Sequence, residues 1–350
     1  MFQKLNIFFL MGLSMFSEIL LSTTVFSQTT ATVDITNPRE GSILRGSCSI
    51  SAEIAVSYGF TQTPTPGRRS SNYGWRQIEG RNGFHYGVDT ADPFNTDVRA
   101  VGAGTAHPCQ PGRFGNTVII DHGDGLYTLY AHLSTYTVSS GQQVNANTVI
   151  GRSGNTGGNY GYHLHFGVSQ DTTGALGWRD IRADSRVHRV NPDNYLPTAR
   201  IRVRTAIDSN HLHTQNYPAG TTNISYSTNW NTTQVNDGSH TVNVNSYSVS
   251  REGRLVNNQP VQQEIERIIG TDSVKAIVDN STRVVEVPIQ KSASPATPIA
   301  GGFQAASSLY FWDNQNNYWE RWINSNLRVD SDNIIRYNAG TSNLDNPNLR

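Results

Sequence analysis

The 350-residue chain predicts a mainly β protein with few helices. Short runs rich in Val, Ile, Thr and Tyr alternate with polar residues between Gly, Asn and Pro. Examples are Thr117-Val118-Ile119-Ile120, Tyr127-Thr128-Leu129-Tyr130 and Thr241-Val242-Asn243-Val244-Asn245. Period-two alternation of this kind suits strands with one face on a core. Helical periodicity is scarce, and Val261 to Ile269 is the stretch that best supports a helix. The length suits two or three domains. A composition 36% hydrophobic and 9% aromatic can build packed cores, which excludes a disordered chain.

From the N-terminus, residues 1–27 read as a signal peptide. Lys4 supplies the positive start, Leu5 to Phe16 is largely apolar, and Val25-Phe26-Ser27 resembles a small-residue cleavage site. Glu18 interrupts the apolar run and argues against a membrane span. No later stretch approaches the ~20 apolar residues that a spanning helix needs. The expectation is an exported protein: periplasmic, cell-wall-associated or extracellular. Lys+Arg 27 against Asp+Glu 27 gives no net charge, so no global field would draw the chain to nucleic acid or an anionic membrane. Cys48 and Cys109 are the only cysteines, enough for one disulfide or two buried thiols and too few for a four-thiolate zinc site.

Residues 85–166 hold the chemistry. In His85-Tyr86-Gly87-Val88-Asp89 an imidazole and a carboxylate are close enough to share a divalent metal from one short turn. In His163-Leu164-His165-Phe166-Gly167-Val168, strand alternation would send Leu164, Phe166 and Val168 to one face and both histidines to the other. Two histidines on the non-core face need a polar partner, which a metal with its water would supply. In Leu126 to Leu133, the same rule puts Tyr127, Leu129, Ala131 and Leu133 on one side. Thr128, Tyr130 and His132 fall on the other, with His132 away from the core. The glycine-rich run Gly151 to Gly158 lacks the ending of a phosphate loop and reads as tight turns that lead into the His163 strand and can line a substrate groove.

These pieces resemble the zinc-dependent peptidoglycan endopeptidases of the lysostaphin type. The matching segments are Gly83 to Asp89, Val118 to Gly123, Tyr130 to Leu133, Gly141 to Val144, Ile150-Gly151 and His163 to Phe166, in that order. The resemblance covers roughly residues 55–197. It implies an antiparallel-sheet metallopeptidase domain with one zinc ion per chain, held by His85, Asp89 and His165, and catalytic histidines His132 and His163 beside it. Two histidines and a carboxylate leave a coordination position open, as catalytic zinc requires. Either remaining histidine could take the proton from water or stabilise the oxyanion. Tyr73, upstream of His85, is a further oxyanion-donor candidate. His122, His107 and the His211-Leu212-His213 pair are assigned plain structural roles.

The flanks are read separately. Residues 33–54 resemble the opening strands of a bacterial immunoglobulin-like domain, and residues 198–255 supply candidates for its continuation. Two readings are open: a β-sandwich interrupted by the peptidase domain, or a short N-terminal strand pair that packs on the peptidase itself. Residues 256–350 match nothing recognisable, and Tyr310-Phe311-Trp312 and Tyr318-Trp319 are candidates for a core. The functional expectation is an exported zinc endopeptidase acting on peptidoglycan or its peptides. A non-catalytic wall-binding or scaffold protein on the same fold, and a secreted peptidase for glycine-rich proteins, are the alternatives.

Overall fold

The structure is a computed structural model. It describes residues 27–78, 80–158, 161–183 and 188–280, and the strands at 284–288, 309–313, 318–322, 328–329 and 334–338. The expected signal peptide lies, up to residue 26, outside the described residues. So do the side chains of the Tyr310 and Tyr318 segments, whose backbones pair as two short strands. Among the described residues, no helix is long and apolar enough to cross a membrane.

Two compact units divide the described chain. One comprises residues 59–196 and 252–263; the other comprises 29–58, 197–251 and the chain from 264 onward.

The first unit is built on an antiparallel sheet. Its strands run in the order Gln142–Val144, Gly104–Cys109, Asn116–Asp121, Leu126–Leu133, His163–Gln170, Val88–Ala91 and Arg68–Ser71. The strands Asn116–Asp121 and Leu126–Leu133 are buried at almost every position because both faces of the sheet are covered. One face carries Val118, Ile120, Tyr130, Leu164, Phe166 and Val168. The other carries Ile119, Leu129 and Ala131, capped by Ile181 from the short helix Trp178–Ala183. Each fully buried Val, Leu, Ile or Phe among them contributes about 1.5–3 kcal/mol. A tight turn joins the central strands. Gly123, Asp124 and Gly125 all have positive φ there, and Asp121 Oδ1 accepts the Gly123 N–H at 2.9 Å.

The second unit packs two sheets over one core. Strands Thr30–Asn37, Ser47–Ser57 and Asn223–Asn231 form one sheet. The other runs Asn210–Tyr217, Arg200–Ile207, Gly238–Val256, Gln259–Val278 and Ile43–Leu44. Ile35, Ile50 and Ile54 of the first meet Ile201, Val203, Val242 and Val244 of the second in a single cluster.

The expected helix at Val261 to Ile269 is instead part of a 20-residue strand, Gln259–Val278. Asn257 and Asn258, at φ 49° and 59°, turn the chain back on itself. Two left-handed residues in succession make the hairpin turn whose twist matches the strands it joins, so pairing overrides a weak helical pattern. Cys48 and Cys109 form no disulfide with each other and lie one in each unit.

Candidate metal centre

Asp89 and His165 face one another across paired strands, because the register aligns His165 with Asp89 and His163 with Ala91. His85 ends the strand Arg81–His85 and reaches the same point. Gly87 makes the turn between them possible: a Cβ there would lie 2.4 Å from the Phe166 carbonyl oxygen and 2.7 Å from His165 Cε1. As the alternation predicted, Leu164, Phe166 and Val168 are buried in the core.

The three side chains are buried and their polar atoms converge. His85 Nε2 is 3.0 Å from Asp89 Oδ1 and 3.0 Å from His165 Nδ1, and His165 Nδ1 is 2.9 Å from the same carboxylate oxygen. Proton bookkeeping decides what this cluster can hold. His85 Nδ1 donates to the Asn72 carbonyl at 2.8 Å, so in the neutral ring Nε2 carries only a lone pair. Asp89 Oδ1 also brings only lone pairs. One proton on His165 Nδ1 cannot satisfy both neighbours, whereas a cation at their centre satisfies all three. The donor set of two imidazoles and one carboxylate suits a divalent transition metal.

Outer contacts fix the candidate ligands. Arg76 Nη1 donates to Asp89 Oδ2 at 2.9 Å, which leaves Oδ1 turned to the histidines. Burial raises the Asp89 carboxyl, but its contacts with His165 and His85 outweigh this and hold the group well below the usual carboxylate range. Burial pushes His165 down to about 3 against the opposing Asp89 hydrogen bond, so its ring is neutral, as metal binding needs.

His132 and His163 stand beside this trio, their ring centroids 4.6 Å apart, and His132 is 6.0 Å from the His165 ring. Simple alternation placed His132 on the Tyr130 side of its strand, and the structure corrects this. Asn116 pairs with Leu133 and Val118 with Tyr130, so Ala131 and His132 together oppose the single residue Thr117. His132 sits in that bulge with φ +62°. An extra residue re-aims the side chains around it. His132 turns toward His165, and Leu133 packs in the cluster of Tyr130. His132 Nδ1 donates to the Thr156 carbonyl at 2.9 Å and His163 Nδ1 to the Gly161 carbonyl at 2.7 Å, leaving Nε2 as the basic nitrogen of each. Burial is the main cause that lowers His132 below the ordinary imidazole value.

Two residues here escaped the sequence reading. Thr156, in the glycine-rich run, supplies the carbonyl that holds His132, and Phe114 lays its ring 5.3 Å from His165 and 6.1 Å from His132. Neither has a local signal. Tyr73 is not an oxyanion donor in this arrangement, since its hydroxyl donates to the Arg189 carbonyl at 3.1 Å. His107 lies in a strand and stacks on Trp178 at 4.3 Å; His211 Nε2 meets the Thr214 hydroxyl at 2.8 Å.

His122 is structural. Its Nδ1 donates to the Ala103 carbonyl at 2.6 Å, Nε2 lies 2.8 Å from the Thr128 hydroxyl, and the ring packs 5.0 Å from Phe60. Burial pushes it down to about 4, against the Ala103 hydrogen bond. The unfolded chain thus binds a proton that the folded chain refuses. Stability from this group is present in full above pH ~6.5 and is lost as pH falls toward about 4, for a total of about 3 kcal/mol. Urea midpoints measured between pH 7 and 4 should show a fall that His122→Phe makes shallower; an unchanged slope would refute the assignment.

The peptidase family M23 profile matches residues 83–175, which contain all five of these residues. Residues 83–175 are a peptidase family M23 domain. Over 102 residues the chain is 41% identical to the DD-carboxypeptidase/endopeptidase Mpg of Neisseria meningitidis serogroup B, covering 28% of this chain and 24% of that protein. Over 107 residues it is 40% identical to the peptidoglycan DD-endopeptidase ShyA of Vibrio cholerae serotype O1, again covering 28% and 24%. Lysostaphin of Staphylococcus simulans is 34% identical over 102 residues, with 28% and 21% covered. The chain thus matches about a quarter of the length of these relatives.

Proposed function

We propose that this protein is an exported zinc metalloendopeptidase that hydrolyses peptide bonds in the stems or cross-links of bacterial peptidoglycan. The observation that carries the reading is the convergence of His85 Nε2, Asp89 Oδ1 and His165 Nδ1 beside two further histidines. The three converging side chains would hold the metal. When bound, zinc would supply a Lewis acid for the scissile carbonyl and acidify a water.

The chain's own groups account for the proton traffic. With Nδ1–H committed to backbone carbonyls, His132 and His163 each present a basic Nε2. One takes the proton from the attacking water and gives the same proton to the leaving amine; the other, when it carries a proton from solvent on Nε2, donates to the oxyanion. Phe114 covers one side of this space and limits its water. The substrate class rests on the named activities of the relatives and on the site alike. The stretch at residues 1–27 supports export.

Mass spectrometry of fragments released from purified peptidoglycans of different cross-link type tests the reading. Hydrolysed peptide bonds are expected, with release abolished by a chelator and restored by zinc. Full hydrolysis by metal-free protein would sink it.

A further inference from the structure

We propose that the tip of the long hairpin, residues 252–263, holds the segment Ser71–Arg76 in the position from which it orients the metal ligands. The metal affinity of His85, Asp89 and His165 then depends on an element remote in the chain and outside the M23 match. This inference rests on the metal-centre reading above.

The chain of contacts has two links. The first runs from Ser71–Arg76 to the ligands. The Asn72 carbonyl sets which nitrogen of His85 faces inward, Arg76 sets which oxygen of Asp89 does, and the Ser71 hydroxyl accepts from Arg76 Nη1 at 2.6 Å. Outer partners of this kind fix ligand tautomer and orientation.

The second link runs from the hairpin tip to the same segment. Strand Gly74–Ile78 pairs with Arg81–His85 on one edge, and Gly253 bridges Gly74 on the other. The Gly253 N–H donates to the Tyr73 carbonyl at 2.9 Å. Asn72 Nδ2 donates to Gln262 Oε1 at 2.9 Å, and Asn82 Nδ2 to the Asn258 carbonyl at 2.9 Å. The backbones touch so closely that side chains are excluded. A Cβ on Gly253 would lie 1.9 Å from the Trp75 carbonyl oxygen, and one on Gly74, at φ +107°, 2.4 Å from that of Gly253. Two glycines widely separated in sequence meet at the residue two places before Arg76.

Burial separates a positioning role from a merely stabilising one. Leu255, Val256 and Val261 at the tip are 38%, 41% and 42% exposed, so the tip brings little apolar surface to a core. What it offers is a set of backbone and amide contacts aimed at residues 72–82. Those contacts specify place more than they add stability.

The test uses the full chain. Zinc affinity is measured by competition with a chromophoric chelator, coordination by the visible spectrum of the cobalt-substituted protein, and folding by the thermal midpoint without metal. Gly253→Val is expected to weaken zinc about 10–100-fold and to alter the cobalt spectrum, with the metal-free midpoint close to that of the parent. Arg76→Met should weaken zinc by a similar factor. The double variant should lose much less than the product of the two factors, because both break one chain of contacts. If Gly253→Val does not fold, Gln262→Ala, which removes one exposed amide, carries the same comparison with a smaller factor. Parent-like zinc affinity in a folded tip variant, or fully multiplicative losses, would overturn the inference and leave the metal centre standing. A parent chain that binds neither zinc nor cobalt overturns both.

Discussion

Asp89→Ala is expected to abolish peptidoglycan hydrolysis and to lower zinc affinity by more than about 100-fold, beyond the loss that follows removal of an outer partner. Its Oδ1 is the atom both imidazoles share, at 3.0 Å from His85 and 2.9 Å from His165. Truncation leaves two imidazole nitrogens and a nearby guanidinium, Arg76, whose Nη1 keeps the Ser71 hydroxyl but loses its carboxylate partner. A cation brought there would face a positive charge in place of a negative one, in a buried site where such a change is weakly screened. Zinc content after dialysis and turnover of purified peptidoglycan check this together. Stoichiometric zinc in the variant would remove Asp89 from the ligand set.

His132→Asn separates catalysis from metal binding. Zinc affinity should stay within a few-fold of the parent, while kcat falls by about 10²–10⁴, the span a lost general acid or base gives. Asparagine is the informative choice, because it tolerates the left-handed backbone that His132 adopts at φ +62° and so keeps the bulge. The expectation follows from geometry: the His132 ring stands 6.0 Å from that of His165 and is anchored through Nδ1 to the Thr156 carbonyl, outside the converging trio. Loss of zinc in step with activity would make His132 a ligand instead.

These two residues show how legibility varied along the chain. Asp89 was readable because a histidine and a carboxylate four residues apart need only a local turn to share a metal. His163 and His165 were readable because alternation along a strand is a local rule, and Leu164, Phe166 and Val168 obey it. His132 was readable as a residue but not as a direction. The bulge that re-aims it depends on the pairing between Asn116–Asp121 and Leu126–Leu133, which no single strand encodes. The failed helix at Val261 to Ile269 has a similar origin, since Asn257-Asn258 makes a hairpin only when a partner strand is there to pair.

The sequence by itself predicted the β class, and its resemblance to a known family nominated the five candidate residues; residue types and short spacings add only donor atoms and strand faces. Only the tertiary structure decided how those donors are held. The Asn72 carbonyl on His85, Arg76 on Asp89, Thr156 behind His132 and the Gly74–Gly253 approach all join residues whose nearness arises from folding. Orientation and the choice of ring nitrogen are properties of those long-range contacts. A pattern read along the chain has no term for them.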